Sequence, residues 1–257
     1  MENSALEVHS RYSRFLPYLA VLSTDLRQTF RNWVYRLWIV ATILVAIGFL
    51  LYRFGLHQEA GMVRPASVHS SELFRGIALG SLALIVVLTV SAVASERGTL
   101  ADSVLSRGIS RYQYFMAKLH SRAIVVVLTF AVMSSFMLVA FHFLLGEDLS
   151  LAGVTWAVLT ISCLLIAVVS VGVAMGAITN SSVVGIAVLW IAMYGLGILM
   201  SLLPQTFPSP EKVIARLPFV LRGEYELNSL GEWVLGSLFV AFVASTIGLI
   251  AFARRDV

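Results

Sequence analysis

Six long apolar runs, separated by shorter polar stretches, dominate the 257-residue chain. They extend from about Leu37 to Tyr52 (with Trp33 and Val34 lengthening the inner flank), Ile77 to Ser95, Ala123 to Leu145, Leu151 to about Ile178, Val183 to Leu203, and Trp233 to Ala253. No Lys, Arg, Asp or Glu interrupts any of them. A helix crossing about 30 Å of hydrocarbon needs about 20 mainly apolar residues, because lipid offers no partner to an open backbone. The pattern predicts an all-α integral membrane protein with six transmembrane helices.

Three connecting stretches carry a pattern of their own. Between Leu16 and Leu37, the residues Leu19, Leu22, Leu26, Phe30, Trp33 and Leu37 recur at steps of three or four, opposite Ser23, Thr24, Arg27, Gln28, Arg31 and Asn32. This predicts an amphipathic helix, with Pro17 in its first turn, lying in the headgroup layer ahead of the first span. It would serve as an anchor or as a lever. The stretch from Glu96 to Arg122 is long for a turn; Gly98 and Gly108 punctuate it, and Leu100, Val104 and Leu105 have helical spacing. Ser110 is placed to cap a helix from Arg111 through Lys118 that leads into the third span. Such an element is a docking helix or a loop resting on lipid. From Pro204 to Glu232, four prolines frame Val213–Leu217 and Phe219–Leu221, too short to span and expected to lie on or dip into the outer leaflet. Gln58–Glu72 reads as a polar outer loop. The chain is thus one membrane domain over 37–253, preceded by a terminus and interfacial helix (1–36) and followed by a short tail (254–257), with the loop 96–122 on one side and the segment 204–232 on the other.

Composition and charge refine the picture. Apolar residues make up 59% and charged residues 12%, against roughly 45–50% and about 25% in soluble domains; with a mean hydropathy of +0.89, this excludes an ordinary water-soluble globule. Of the 18 basic residues, twelve fall on the side of the termini and of the 96–122 loop and six on the other. The positive-inside rule therefore predicts that both termini and that loop are cytoplasmic; the expected location is a prokaryotic inner membrane. Basic side chains facing anionic lipid account for the pI near 9.5 without nucleic acid. The first apolar run starts only near residue 37 and no small-residue cleavage site follows, so no cleavable signal peptide is expected.

No catalytic constellation is evident. The single cysteine, Cys163, excludes an internal disulfide framework or a cysteine-built metal site. Neither a phosphate loop nor the H-E-x-x-H and G-x-S-x-G motifs occur, so no enzyme activity and no bound cofactor are expected of this chain. His142 reads as a polar tip at the outer end of the third span, and Met133 with Met137 as core filling in preference to a copper site. Gly172 with Gly176, and Gly195 with Gly197, permit close helix approach. With no ionisable group inside the spans, an ion-coupled carrier is disfavoured. Energy would have to enter through the cytoplasmic surface.

At that surface, Ser95-Glu96-Arg97-Gly98-Thr99-Leu100, then Leu105-Ser106-Arg107-Gly108-Ile109-Ser110-Arg111, then Lys118, resemble the first cytoplasmic loop of the ABC-2 type transporter permeases. The ending Phe252-Ala253-Arg254-Arg255-Asp256-Val257 is similar to that family's close. Gly108 stands where the family commonly has proline, and Glu96 lies nearer to Gly98 than is usual. The resemblance implies a permease of the type V ABC exporter fold whose transport is driven by two copies of a separate ABC ATPase, which would bind the ATP and Mg. It further implies a second permease protomer in a homodimer, and a substrate path lined by spans one, two and five. Gly98, Thr99, Leu100, Val104, Leu105 and Arg107 would belong to the coupling helix, with Glu96 and Arg111 flanking it, and Arg27, Phe30, Arg31 and Trp33 to the connecting helix. Other implied partners are membrane lipids and an extracytoplasmic accessory protein. The main alternative from the residues alone is a non-transporting scaffold or sensor that recruits a cytosolic protein.

Overall fold

The computed structural model describes residues 15–60, 65–94, 109–145, 148–202 and 210–254. Among them are eight helices and no strand: α1 (Leu16–Arg31), α2 (Trp33–Ala60), α3 (Ala66–Ala94), α4 (Arg111–Leu145), α5 (Leu151–Ile178), α6 (Ser182–Leu202), α7 (Pro210–Arg222) and α8 (Leu227–Arg254). Six of these, all but α1 and α7, are long and apolar enough to cross a membrane. The protein is an all-α membrane protein with six such helices.

Helices α3, α4 and α5 form the centre. Phe74 of α3 meets Phe130 of α4 with ring centroids 6.1 Å apart, and Ile85, Val125, Val126 and Val169 are buried around them. Within lipid, apolar surface alone does not drive helices together, so small residues and hydrogen bonds must. Both are present. A Cβ added at Gly172 of α5 would lie 2.0 Å from Thr89 Oγ1 on α3, and one at Gly176 would lie 2.4 Å from the Val90 carbonyl oxygen. This small-residue pair therefore serves contact within the chain. Gly195 and Gly197 differ from expectation: an added Cβ meets nothing within 4 Å, so they relieve no crowding inside this chain. They lie on an outward face of α6 beside exposed Ile191, Ile198 and Leu199.

Helix α2 is pinned near its start, where Tyr35 hydrogen-bonds Thr129 Oγ1 at 2.8 Å and Trp38 Nε1 donates to Ser81 Oγ at 2.8 Å, and again at Ala46 and Phe49, which pack with Leu73 and Phe141. Its Val40, Leu44, Val45 and Leu51 are exposed. Helix α6 touches α3 and α5 through Leu189, packed with Val86 and Val90, and α8 covers α5.

The end remote from α1 is more ordered than the sequence indicates. The polar stretch Gln58–Glu72 is not simply a loop, since α2 continues to Ala60 and α3 begins at Ala66. Ser67, His69 and Ser70 are buried there. Two hydroxyls of this turn find partners, while Ser70 Oγ has none among the described residues: Ser71 Oγ donates to the Val68 carbonyl at 2.7 Å, and Asp148 accepts from Ser67 N at 3.0 Å and from Ser67 Oγ. Arg222 Nε completes the network, 2.9 Å from Ser67 Oγ and 3.3 Å from Asp148 Oδ2. Arg53 of α2 and Glu72 of α3 form a further ion pair. Within the proline-rich segment, α7 is tucked against α3 and α5, with Leu217 and Leu221 fully buried. Ser150 N donates to the Leu221 carbonyl at 2.8 Å. That junction needs two glycines: a Cβ at Gly153 would sit 2.0 Å from the Val220 oxygen, and Gly223 has φ +90°, a conformation other residues adopt at a cost.

Candidate functional site

Helix α1 and the base of α4 meet through polar groups. Asn32 separates α1 from α2: its backbone is extended, closing α1, and its Oδ1 accepts from Val34 N at 2.9 Å, opening α2. The first helix therefore turns off the first span at a two-sided cap and lies along α4, with which it shares most of its contacts.

The face of α1 that meets α4 is not the apolar stripe. Leu16, Leu19, Phe30, Trp33 and Leu37 are exposed, whereas Asp25 and Thr29 are the residues of α1 that are buried. Leu26 and Val21 pack partly against the core. The stripe splits for a physical reason: α4 offers two cations at its base, so the face carrying the lone carboxylate of α1 turns inward and the large apolar side chains are left outside.

Asp25 is 1% exposed, and Lys118 and Arg122 are 3% and 8% exposed. Lys118 Nζ lies 2.6 Å from Asp25 Oδ1, and Arg122 Nη2 lies 3.3 Å from the same oxygen. Arg122 Nη1 also donates to Thr29 Oγ1, whose own hydroxyl donates to the Asp25 carbonyl at 2.8 Å. Lys118 and Arg122 are four residues apart, hence on one helix face, where like charges repel unless an anion lies between them. Asp25 is that anion. Its Oδ2 and Arg122 Nε have no hydrogen-bond partner among the described residues, where the cluster sets two cations around one carboxylate. Nearby, Tyr18 Oη lies 2.8 Å from His120 Nδ1, and partial burial pushes the Tyr18 hydroxyl above its ordinary pKa.

The base of α4 is also tied to α8. Ser110 and Gln113 form a reciprocal capping box, Ser110 Oγ accepting from Gln113 N and Gln113 Oε1 from Ser110 N, each at 3.2 Å. This is the cap expected at Ser110. Arg111 Nη1 donates to the Ala253 carbonyl at 3.1 Å, supplying a cation to the end of α8 where carbonyls lack partners. Tyr114 stacks on Phe252 with centroids 5.8 Å apart.

Of the residues singled out in the sequence, Arg111 is thus engaged at the α4–α8 junction. Arg27 and Arg31 are exposed on α1, Phe30 packs edge-on to Tyr35 at 5.4 Å, and Trp33 is exposed at the start of α2. Glu96, Gly98, Thr99, Leu100, Val104, Leu105 and Arg107 lie outside the described residues. Asp25, Thr29 and Arg122 were not singled out. The available signal was a lone acidic residue in an otherwise basic helix, facing two cations four apart elsewhere in the chain. Pairing them required the tertiary fold. No family model and no curated protein matches this chain.

Proposed function

We propose that this chain is the membrane-spanning permease subunit of an ABC-2 type exporter, working as a homodimer with two copies of a separate ATPase and with both termini in the cytoplasm. The motif set around Glu96–Arg111 and the tail Phe252–Val257 suggests the family. The observation that carries the reading is the buried Asp25–Lys118–Arg122 junction. A helix pinned to the base of the third span by a desolvated ion cluster moves with that span. Force applied to α1, or to the 96–110 stretch that runs into α4, would therefore reach the centre of the bundle without being lost in a flexible hinge. The capping box and the Arg111 contact extend that stiffness to α8.

In this reading ATP closes the partner ATPase pair, the closure displaces α1 and the base of α4, and the outward faces of α2, α3 and α6 rearrange around a substrate between protomers. Those faces are apolar, with Thr42, Ser91, Met193 and Tyr194 as further candidates to contact a lipid, an apolar peptide or a small amphiphile. The test is purification from the native membrane in mild detergent. A stoichiometric ATPase should accompany the chain, and Glu96→Gln should lower substrate-stimulated ATP hydrolysis while leaving the complex assembled. Absence of any ATPase would refute the reading and favour the scaffold alternative.

A further inference from the structure

At the end of the bundle remote from α1, a recess of about 320 Å³ opens between α5, α7 and the first turns of α8. Its floor is apolar, built from buried Ala157, Leu217, Val220 and Leu230. Its rim is charged and aromatic: Arg216, Glu224, Tyr225, Glu226 and Trp233. Arg216 Nη1 is held by Ser229 Oγ at 3.1 Å. Glu224 and Glu226 are exposed and form no ion pair among the described residues, and among those residues the rim carries two carboxylates against one guanidinium. Tyr225 is half-buried, its ring 6.4 Å from that of Trp156. Carboxylates beside aromatic faces attract an ammonium group, and a guanidinium recognises a phosphate. Trp and Tyr at the end of a span mark headgroup depth.

The same seam carries a second hollow that begins near the membrane centre and runs toward Ile178, the last residue of α5. It measures about 330 Å³ and is lined only by apolar side chains, among them Val171, Met175 and Ile178 of α5 with Val240, Val243 and Ile247 of α8. Helical periodicity puts the two hollows on one side of the seam. On α5, Ala157, Thr160, Val171, Met175 and Ile178 fall at intervals that keep one face, and on α8 so do Trp233, Val240, Val243 and Ile247. Between Trp233 and Val240 on that face stands Gly236, exposed, where an added Cβ would meet nothing within 4 Å. At that position α8 itself places no side chain between the two hollows. From Trp233 to Val243 the helix rises about 15 Å, half of the roughly 30 Å hydrocarbon layer and so the depth of one leaflet.

We infer that the α5–α8 seam is a binding site for one ammonium-bearing glycerophospholipid of the leaflet opposite α1. Its ammonium sits against Glu224, Glu226 and the Tyr225 and Trp233 rings, its phosphate meets Arg216, and an acyl chain passes Gly236 into the inner hollow. An anionic lipid is disfavoured because its phosphate can meet Arg216 but it brings no ammonium to set against Glu224 and Glu226, which then face a headgroup of net negative charge. The inference rests on the membrane fold and is independent of the ATPase reading.

The test is native mass spectrometry of the full chain, extracted in mild detergent, stripped of lipid and offered equal amounts of phosphatidylethanolamine and phosphatidylglycerol. Phosphatidylethanolamine should be retained roughly ten-fold more, the ratio a charge-assisted contact sustains. The double variant Glu224→Gln/Glu226→Gln replaces exposed groups by isosteres and should bring the ratio to about one, with helix content unchanged. Gly236→Leu should lower retention of phosphatidylethanolamine while that preference persists. Equal retention of the two lipids by the natural chain, a preference undiminished in the double variant, or undiminished retention in Gly236→Leu would overturn the site.

Discussion

Replacing Asp25 by Asn tests the junction most directly. The side chains are nearly isosteric, so packing is kept while the one anion between Lys118 and Arg122 is removed. Were this an exposed pair, the loss would be only about 0.2–1 kcal/mol, a few-fold in the opening of α1. Asp25 is 1% exposed and its partners 3% and 8%, so the relevant case is a buried pair broken on one side. That costs roughly 3–5 kcal/mol, because the buried Lys118 and Arg122 lose the carboxylate they share. Converted at 1.4 kcal/mol per decade, the opening equilibrium of α1 should rise on the order of a hundred-fold or more. The assay is amide hydrogen exchange along Leu16–Arg31 in detergent, compared with α5 as an internal reference. Adding Lys118→Met should restore part of the protection, since the leftover charge is then reduced. Two outcomes would refute the reasoning: a few-fold change in exchange for Asp25→Asn, or strictly additive losses in the double variant, which would mean that the residues do not interact.

Other expectations follow from single contacts. Gly172→Leu should prevent native packing of α5 on α3, because the first added carbon already overlaps Thr89 Oγ1; Gly195→Leu, with nothing within 4 Å of its first carbon, should leave thermal stability of the monomeric chain within about 0.5 kcal/mol. Measuring both by thermal unfolding in detergent separates intrachain packing from the outward face of α6. Ser110→Ala removes half of the capping box and should destabilise the base of α4 by about 1 kcal/mol, read as faster exchange confined to its first turn. Arg222→Gln takes the cation from the Ser67–Asp148 network and should cost about 1–3 kcal/mol, seen as early release of α7 in limited proteolysis.

Much of the architecture was legible before the fold. Length and apolarity are local properties, and lipid forbids an unpaired backbone, so the six runs could only be helices; the ends of α5 match the sequence reading closely. The Ser110 cap was legible because it depends on residues three positions apart. Failures occurred where a polar residue's partner is distant in sequence. The serine-rich start of α3 looks like a loop until Asp148 and Arg222 arrive from elsewhere. The packing of Leu217 and Leu221 of α7 against α3 and α5 likewise needed the fold, since their neighbours are distant in sequence.

Six helical spans, their order along the chain and the gathering of basic residues on one side were legible without the fold, because hydropathy, helix period and charge are read along the chain. Which residues of α1 turn inward became visible only in the fold: Asp25 and Thr29 are buried against α4 with Val21 and Leu26 half-buried beside them, while Leu16, Leu19 and Phe30 stay exposed. The reason is electrostatic. Lys118 and Arg122 on α4 demand a buried anion, and Asp25, 93 residues from Lys118 in sequence, is the carboxylate that packing brings to them.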